Sequence, residues 1–531
     1  MTTKWVAFSD VPQFSYKDVA YTTEKPELRP FYAYEPSMEG FAKAIADRKQ
    51  YPVDRTTLVE VLEAQYADLS EAKLVNGNIQ SLRQANTFTV ITAHQPSLFT
   101  GPLYYIYKII STIHLCQKLA KTYPDYQFVP VFVTGGEDHD FEEVNYVNLF
   151  GRKVTWENDL SGSVGMMPTE SLRPTLDQLQ EILGTNSERA VEIFELIERV
   201  YTQNKMYSKA TVELVHELFK TYGLVVANMN HSKLKRLFIP HIKEEIFEQP
   251  SQALVQATAD KLNEVDFKLQ AFPREINFFY LRENLRERIV FEDGVYKVLN
   301  TNYTFTKEEL SAEIDAHPEF FSPNVVMRPI YQEAIMPNLA YVGGGGELAY
   351  WLERKAQFTH FKVFYPMLIR RNSVMWLDKG ATKKMRKLDL HVEDLFQDTD
   401  AIIRHFVENQ TTAALEINEE KAAINRAFDQ FAQKGKQLDP TLAKAILAEK
   451  TKVLKTLGQL EGRLLRSEKQ KHEVAVNQIG KIKESLFPNN GLQERYDNFL
   501  GLYIKYGRDF FDFLLEHLNP LEKKMLVVID D

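Results

Sequence analysis

The sequence predicts an α/β protein with a Rossmann-like core on a parallel sheet, an inserted segment and an antiparallel α-helical coiled coil. Three observations predict this class. A strand–helix–strand pattern occupies Phe88–Thr134, a glycine run follows another predicted strand at Gly343–Gly346, and two segments after residue 386 repeat apolar residues every seven positions. Strands that alternate with helices pair in parallel, and heptad repeats indicate helices that pack side by side.

Length, composition and charge narrow the class of protein further. The chain has 531 residues, which is too long for one hydrophobic core, so several domains are expected. Its 44% hydrophobic and 26% charged residues are typical of a folded globular protein and exclude a disordered or collagen-like chain. The net charge of -9 argues against nucleic acid as a partner.

The sequence also predicts a cytoplasmic protein without a membrane partner. No apolar run reaches the roughly 18 residues that span a bilayer, and the first residues do not resemble a secretory leader. The lone cysteine, Cys116, excludes an internal disulfide and agrees with a reducing compartment. Because Cys116 falls on the apolar stripe of a predicted helix, it is not expected to act as a nucleophile.

The first half of the Rossmann-like core is predicted at residues 1–156. Asp54 suits the N-cap of one helix, and Pro102 suits the first turn of a longer one whose apolar residues recur at three- and four-residue steps. The predicted elements are helices over Glu39–Asp47, Thr56–Leu69 and Pro102–Lys121, and strands over Phe88–Ala93 and Phe128–Thr134.

Connecting segments and an inserted subdomain are predicted at residues 157–318, where the periodicity is less regular. Asp293 and Gly294 suit a tight two-residue hairpin turn. The predicted elements are a turn at Gly162–Met167, helices over Leu172–Leu183, Ser187–Tyr201 and Leu234–Phe247, a strand over Gly223–Ala227 and a hairpin over Glu292–Val298.

The second half of the core is predicted at residues 319–385. Ala340–Val342 and Lys362–Leu368 have the apolar character of buried strands. Between them, the glycine run leads into a helix that is expected to begin near Glu347. The segment therefore repeats the alternation of strand and helix seen in the first half.

The coiled coil is predicted at residues 386–487, followed by a return to the core at 488–531. Asp439 followed by proline is a strong start for the second of two long helices. A short turn between two heptad helices predicts an antiparallel hairpin. The heptad positions are Ile417, Ile424 and Phe431 in the first helix and Ile446, Val453 and Leu460 in the second.

Polar loops follow three predicted strands, at the edge where parallel sheets bind ligands. His94–Gly101 leads into a helix N-terminus, which suits phosphate. Gly135–Asp140 carries three acids and a histidine, which suit a cationic amine better than a metal. Gly343–Gly346 removes every Cβ, so that a ligand could approach the backbone. Each loop has a plainer interpretation as a cap or a turn.

The motifs that usually bind nucleotide phosphates are missing, since the chain has neither G-x-G-x-x-G nor a P-loop. Arg328 suits a carboxylate or a phosphate, and Asn324 and Gln332 add polar groups beside it. Arg370 and Asn372 end the later strand and could face the same crevice. The residues alone predict a Rossmann-like enzyme with an anion-binding crevice and leave its substrate open.

Several long motifs resemble the bacillithiol biosynthesis cysteine-adding enzyme family. They occur in order over nearly the whole chain, as TAHQPSLFTGPLYYIYK from Thr92, GEDHDFEEVN from Gly136, SPNVVMRPIYQEAIMPNLAYVGGGGELAYW from Ser322 and LQERYDNF from Leu492. The resemblance implies a ligase that joins cysteine to glucosaminyl malate in the last step of bacillithiol synthesis. It also implies a core similar to class I nucleotidyltransferases, connecting-peptide segments, and a homodimer formed through the coiled coil.

The same resemblance implies roles for individual residues. Arg328 and Arg370 would bind the malyl carboxylates, ATP or another nucleotide would activate the cysteine by analogy, and no metal is expected. The catalytic candidates, which would hold the amine or act as a base, are Glu137, Asp138, His139 and Asp140. The other substrate- or nucleotide-binding candidates are Thr92, His94, Gln95, Thr100, Gly101, Asn324, Gln332, Gly343, Gly344, Gly346, Glu347, Tyr350 and Asn372.

Two alternatives remain open at this point. One is a different adenylate-forming or amide-forming enzyme on the same fold, because a fold does not fix a substrate. The other is a non-catalytic partner protein that binds the thiol precursor. The enzymatic interpretation requires that polar segments scattered along the chain meet in one pocket above the edge of the sheet.

Overall fold

A computed structural model describes residues 1–268, 270–410 and 417–530. Residues 269, 411–416 and 531, which fall inside three of the predicted segments, lie outside the described residues. The strands are β1 Thr2–Ala7, β2 Thr87–His94, β3 Gln127–Thr134, β4 Tyr146–Leu149, β5 Arg152–Thr155, β6 Val225–Asn228, β7 Phe278–Arg282, β8 Leu285–Glu292, β9 Val295–Val298, β10 Thr304–Phe305, β11 Phe321–Pro323, β12 Asn338–Gly343, β13 Met367–Arg370, β14 Ser373–Leu377 and β15 Lys524–Ile529.

Helices connect and cover these strands. They are α1 Tyr16–Thr22, α2 Met38–Arg48, α3 Arg55–Tyr66, α4 Lys73–Ser81, α5 Tyr104–Thr122, α6 Phe141–Val144, α7 Arg173–Leu183, α8 Glu188–Gln203, α9 Tyr207–Phe219, α10 Ser232–Glu248, α11 Pro250–Asn263, α12 Lys307–Ala316, α13 Arg328–Ile335, α14 Gly345–Leu352, α15 Lys355–His360, α16 Lys379–Lys387, α17 Thr399–Gln410, α18 Asn418–Leu438, α19 Pro440–Lys471, α20 Glu473–Leu486, α21 Leu500–Tyr506 and α22 Asp509–His517. None of the helices described is long and apolar enough to cross a membrane.

The predicted parallel sheet is confirmed, with five strands in the order β13-β12-β2-β3-β6. Both faces of this sheet are covered, because Val131 and Val133 pack into one hydrophobic core and Phe132 between them packs into another. In register, His94 lies beside Thr134 and Thr134 beside Asn228. These three strands therefore end together, and their carboxyl ends form one edge.

One of the predicted strands is misplaced. The prediction began a strand at Lys362, whereas β13 begins only at Met367. Lys362 has a left-handed backbone with φ of 55°, which an extended strand does not accommodate. The apolar residues before β13 are buried in the hydrophobic cores without joining the ladder, and their burial imitates the pattern of a strand.

A second sheet lies in the region that separates the two halves of the core. Its strands have the order β10-β9-β8-β7-β11 and are antiparallel. The predicted hairpin at Asp293 and Gly294 is confirmed, because both residues have positive φ, 53° and 81°, and join β8 to β9. Strand β11 leads directly into α13, so this sheet ends next to the parallel one.

The predicted antiparallel coiled coil is also confirmed, as the hairpin of α18 and α19. Ion pairs between Lys421 and Glu461 at 2.6 Å and between Lys450 and Asp429 at 2.8 Å show that the two helices run in opposite directions. Asp439 caps α19, where its carboxylate accepts from the backbone N–H of Thr441 at 2.7 Å. We call α18 and α19 the arm.

A third sheet joins the first strand to the last. Its order is β1-β15-β14, in which β15 pairs antiparallel with β1 and parallel with β14. Since β14 follows directly after β13 of the parallel sheet, this small sheet lies where the chain passes from the core to the arm. The helices α17 and α20 at the base of the arm pack into the same hydrophobic core as β1 and β14.

Candidate active site

A cavity of about 580 Å³ opens at the carboxyl edge of the parallel sheet. The ends of β2, β3 and β6, the turn between β12 and α14, and the start of α13 all contribute to its wall. Arg286 of β8 and Pro323 of β11 line it from the antiparallel sheet. The lining residues span the chain from Ala93 to Arg495, so the scattered polar segments do meet in one place.

Ten of the predicted site residues line this cavity. They are His94, Gln95, Glu137, Asp138, Asn324, Arg328, Gly344, Gly346, Glu347 and Tyr350. Nine others do not, namely Thr92, Thr100, Gly101, His139, Asp140, Gln332, Gly343, Arg370 and Asn372. The roles predicted for the ten lining residues stay predictions. For each of the nine other residues, the structure gives the contacts or the exposure of the residue.

Arg370 is a clear correction to the predicted site. Its guanidinium donates to both carboxylate oxygens of Asp18 in α1, at 2.6 and 3.0 Å, and both side chains are buried. A bidentate pair of this kind uses the face of the guanidinium that a substrate carboxylate would need. Arg370 therefore anchors α1 to the sheet and is not available to a ligand.

Four more of these residues stabilise turns or strand ends. Thr92 donates its hydroxyl to the carbonyl of Val342 at 2.7 Å inside the sheet. Thr100 and Gly101 have φ of 70° and 64° in the turn before α5, a conformation that suits glycine. Asn372 bonds to the Asn519 carbonyl at 3.0 Å.

The remaining four lie beside the cavity. Gly343 accepts the backbone N–H of Arg371 at 2.9 Å as part of the sheet edge. Gln332 is fully buried. His139 and Asp140 are exposed. Sequence position alone could not separate these residues from their lining neighbours, because adjacent side chains in a loop point in different directions.

His94 is held as a neutral ring at the end of β2. Its Nδ1 lies 2.9 Å from the carbonyl oxygen of Gln95, which can only accept, so Nδ1 carries the proton. Its Nε2 then accepts from the hydroxyl of Tyr104 at 3.0 Å. Burial and the nearby charge of Lys108 lower the pKa of His94 to about 4, so the ring is uncharged at neutral pH.

The Glu347 carboxylate forms an ion pair with a buried lysine. Lys108 of α5 is completely buried and donates to both carboxylate oxygens of Glu347, at 2.9 and 2.8 Å. The same carboxylate accepts from the Tyr341 hydroxyl at 2.7 Å and from the Gly344 N–H at 2.8 Å. Burial would raise the pKa of Glu347, but Lys108 outweighs it and lowers the pKa to about 2.

Glu137 has the same arrangement on the other side of the site. Lys235 of α10 is completely buried and lies 2.8 Å from the Glu137 carboxylate. It also donates to the carbonyl of Phe321 at 2.8 Å. Burial lowers the pKa of Lys235, and the charge of Glu137 opposes that shift. Neither lysine lines the cavity, whereas the carboxylate that each one pairs with does.

Asp138 lies in a network of donors. One oxygen accepts from the side-chain amide of Gln95 at 2.6 Å, the other accepts from the backbone N–H of His139 at 2.8 Å, and Arg286 lies 3.5 Å away. Burial alone would raise the pKa of Asp138, but hydrogen bonding from His139 and the charge of Arg286 hold it well below the usual range. Asp138 is therefore a fixed anion at neutral pH.

Arg328 lines the cavity without a carboxylate partner among the described residues. Its two terminal nitrogens donate to the side-chain oxygen of Gln332 at 3.2 Å and to the hydroxyl of Tyr350 at 3.4 Å. Both partners are neutral, so the positive charge of Arg328 is not cancelled by an ion pair. A guanidinium in this state can bind an incoming carboxylate or phosphate.

Three further arginines, Arg286, Arg371 and Arg495, line the cavity and are not among the predicted site residues. Arg371 is buried and donates to Glu494 at 2.7 Å, and Arg495 lines the cavity without an ion pair among the described residues. Glu494 and Arg495 both belong to the segment that follows the arm. The motif from Leu492 carries part of the family resemblance, but no local pattern in it predicts that it contributes to the cavity.

Two adjacent glycines of the turn between β12 and α14, Gly345 and Gly346, lack a side chain for different reasons. A Cβ on Gly345 would lie 2.2 Å from Cγ of Asp18, so close packing excludes any side chain there. A Cβ on Gly346 would meet nothing within 4 Å, and Gly346 lines the cavity. Gly345 is therefore required by the packing of α1, whereas Gly346 leaves room for a ligand.

The fold and the site together define a Rossmann-like protein with a coiled-coil arm and a cavity lined by charged side chains at the carboxyl edge of its parallel sheet. Comparison with known proteins identifies the family. The chain belongs to the bacillithiol biosynthesis BshC family: the profile of its N-terminal Rossmann-like domain matches residues 1–372 and that of its C-terminal coiled-coil domain matches residues 374–529.

Three curated relatives are similar to this chain over its whole length. The proteins from Flavobacterium psychrophilum and Christiangramia forsetii are each 39% identical over 99% of this chain and 99% of their own. The protein from Flavobacterium johnsoniae is 39% identical over 99% of this chain and 100% of its own. All three bear the name "Putative cysteine ligase BshC".

Proposed function

We propose that the chain is a cysteine ligase that forms an amide between the carboxylate of cysteine and the amine of glucosaminyl malate, in the last step of bacillithiol biosynthesis. The observation that carries the proposal is the similarity over 99% of the chain to relatives named as cysteine ligases. The cavity supports it, because one space offers cations for carboxylates and carboxylates for an amine.

Arg328 and Arg495 are the residues that we assign to the malyl carboxylates. Both line the cavity, and neither has a carboxylate within ion-pair distance among the described residues. Two guanidiniums suit a dicarboxylate, since each can take one carboxylate in a bidentate pair. Arg370 has no part in this assignment because Asp18 occupies it.

The acids beside β3 are assigned to the amine. Asp138 stays ionised, so it suits the electrostatic binding of a cationic amine and is a poor base. Glu143 also lines the cavity, and burial together with the charges of Asp140 and Asp138 raises its pKa. Glu143 therefore accepts a proton more readily than Asp138 and is our candidate for the base that deprotonates the amine.

A nucleotide is the proposed activating group, by analogy with class I nucleotidyltransferases. The residues present fit a phosphate group, because Nε of Arg371 is buried without a hydrogen-bond partner among the described residues and Gly346 leaves open space in the same cavity. When bound, ATP or another nucleotide would convert the cysteine carboxylate into a group that the amine can attack. The N–H of Gly344 is less suited to phosphate, since Glu347 already accepts from it at 2.8 Å.

A homodimer formed through the arm and a cytoplasmic location belong to the same proposal. Several large apolar side chains of the arm are exposed, among them Phe431 at 58% and Leu438 at 84%. Exposed apolar residues on a helical hairpin favour a partner helix pair. The lone Cys116 is a buried thiol, which agrees with a reducing compartment.

Product formation by the purified full chain tests the proposal. The protein is incubated with cysteine, glucosaminyl malate and each nucleoside triphosphate in turn, and the amide is sought by mass spectrometry as the sum of the two substrates less one water. We expect product with one nucleotide and none without it. Absence of product with every nucleotide contradicts the proposed ligase.

The two alternatives give different results in the same experiments. A ligase with another acceptor would consume cysteine and nucleotide only when a different amine is supplied. A non-catalytic partner would leave cellular thiol production unchanged when Asp138 is replaced by asparagine. We expect Asp138→Asn to lower production at least tenfold, because the variant removes the fixed negative charge of the site.

A further inference from the structure

Arg328 is held in part by a buried polar side chain, Gln332, that does not itself line the cavity. Its Nη1 donates to Oε1 of Gln332 at 3.2 Å, and Nε2 of Gln332 donates to Oε1 of Glu333 at 2.7 Å. Gln332 is 0% exposed and Glu333 is 1% exposed. The ligand-facing guanidinium is therefore connected to a carboxyl group inside the protein.

Glu333 decides which end of the Gln332 amide faces Arg328. Its Oε1 accepts from Gln332 at 2.7 Å and from the side-chain amide of Asn338 at 2.8 Å. An oxygen that accepts twice requires the NH₂ end of Gln332, so the carbonyl end is left for the guanidinium. The opposite orientation would point two donors at each other, which costs the hydrogen bond and buries an unpaired group.

We propose that Glu333 is a positioning residue, which orients Gln332 and thereby fixes the direction in which Arg328 points into the cavity. The two charged groups that face Glu333 are Arg48 of α2 and Arg328 itself. Since Oε2 of Glu333 has no hydrogen-bond partner among the described residues, its contacts with Gln332 and Asn338 are the ones that hold it. The link to substrate binding rests on the proposed function, whereas the orientation of Arg328 does not.

The chemical reactivity of Arg328 tests the positioning directly. Phenylglyoxal modifies guanidinium groups, and its rate at Arg328 is measured by mass spectrometry of the peptide in the full chain. Glu333→Leu removes the acceptor, and we expect labelling about fivefold faster because the guanidinium loses an ordered partner. Glu333→Gln keeps an accepting oxygen and should restore the rate to within about twofold of the parent chain.

Two further variants keep this test decisive. Ile330→Val changes the packing of the same helix without touching the hydrogen-bonded chain, so it should label at the parent rate. Gln332→Met removes the connecting amide, and its Arg328 should be labelled as fast as in Glu333→Leu. This variant provides an answer even if the Glu333→Leu protein does not fold. Parent rates in both Gln332→Met and the folded Glu333→Leu would overturn the proposal.

Kinetics then separate positioning from a general loss of structure. We expect Glu333→Leu to raise KM for glucosaminyl malate about fivefold, with kcat and the KM for cysteine within about twofold. Glu333→Gln should return the KM to the parent value. If the parent chain makes no product, the proposed ligase fails while the labelling rates still decide the role of Glu333. Equal loss of kcat in both Glu333 variants would contradict positioning.

Discussion

At the scale of single residues, two carboxylates that line the cavity are each paired with a buried lysine on the side away from the cavity. Lys108 and Lys235 are 0% exposed, and each pairs with an acid that does line the cavity, Glu347 and Glu137. A buried ion pair is costly to break, because the remaining charge is left without a partner. Lys108 lowers the pKa of Glu347 to about 2, so Glu347 keeps its charge at neutral pH, whereas the pKa of Glu143 is raised and its proton can move.

Substitution of Arg328 should affect the acceptor substrate selectively. We expect Arg328→Met to raise KM for glucosaminyl malate about tenfold or more, because hydrogen bonds between charged groups contribute about 1.5–3 kcal/mol. The KM for cysteine should change less than twofold. Arg152→Met, at an exposed arginine of β5 outside the cavity, is the matched control and should match the parent. A changed KM in the control, or an unchanged one in Arg328→Met, would contradict the assignment.

Glu245 gives a prediction about pH. This carboxyl group of α10 is 0% exposed, accepts from Ser251 at 2.6 Å and from Asn277 at 2.7 Å, and burial raises its pKa to about 7. The folded chain holds the proton more tightly than the unfolded one, so the stabilisation is present below pH 4.5 and lost as the pH rises through about 7.

Replacement of Glu245 by glutamine removes this titration. Between pH 4 and pH 8, the free energy of unfolding of the parent chain should fall relative to Glu245→Gln by on the order of 3 kcal/mol. Urea unfolding at a series of pH values measures the difference. Parallel curves for the two proteins would show that Glu245 titrates as an ordinary carboxyl group.

At the scale of elements, the turn between β12 and α14 separates packing from binding. We expect Gly345→Ala to destabilise the chain by about 1–3 kcal/mol, because its Cβ would overlap Asp18 and displace α1. Gly346→Ala, one residue later, has free space and should unfold like the parent, while its methyl group enters the cavity and weakens ligand binding. Thermal unfolding and substrate KM values measure the two effects. Equal stabilities for both variants would contradict the proposed division.

Elements with a local signal could be predicted from the sequence. The apolar stripe of α5, the β-branched run of β2 and the heptads of the arm all recur within a few residues, and the structure confirms them. The part of the cavity wall at or just after the ends of such strands, including His94 and Asp138, could also be predicted. The ion pairs Lys108–Glu347 and Arg371–Glu494 join residues more than a hundred positions apart, and no periodicity encodes them.

At the scale of the whole molecule, the arm and the cavity are predicted to serve separate functions. We expect the parent chain to be a dimer and Leu460→Asp to be a monomer at micromolar concentration, because Leu460 of α19 is 46% exposed and a charge would disrupt an apolar contact. Gln459→Asp, at the exposed neighbouring position, should remain dimeric. Sedimentation equilibrium measures the mass, and a dimeric Leu460→Asp would contradict pairing through this face of the arm.

The buried ion pair of Arg371 with Glu494 joins the core to the segment after the arm, and this connection affects the order in which the molecule folds during synthesis. The cavity needs Arg495, and the small sheet that links core and arm needs β15, which pairs with β1 at the opposite end of the chain. During synthesis, domains fold as their residues leave the ribosome. A nascent chain therefore holds the Rossmann-like strands long before it holds the complete cavity, which needs the segment that follows the arm.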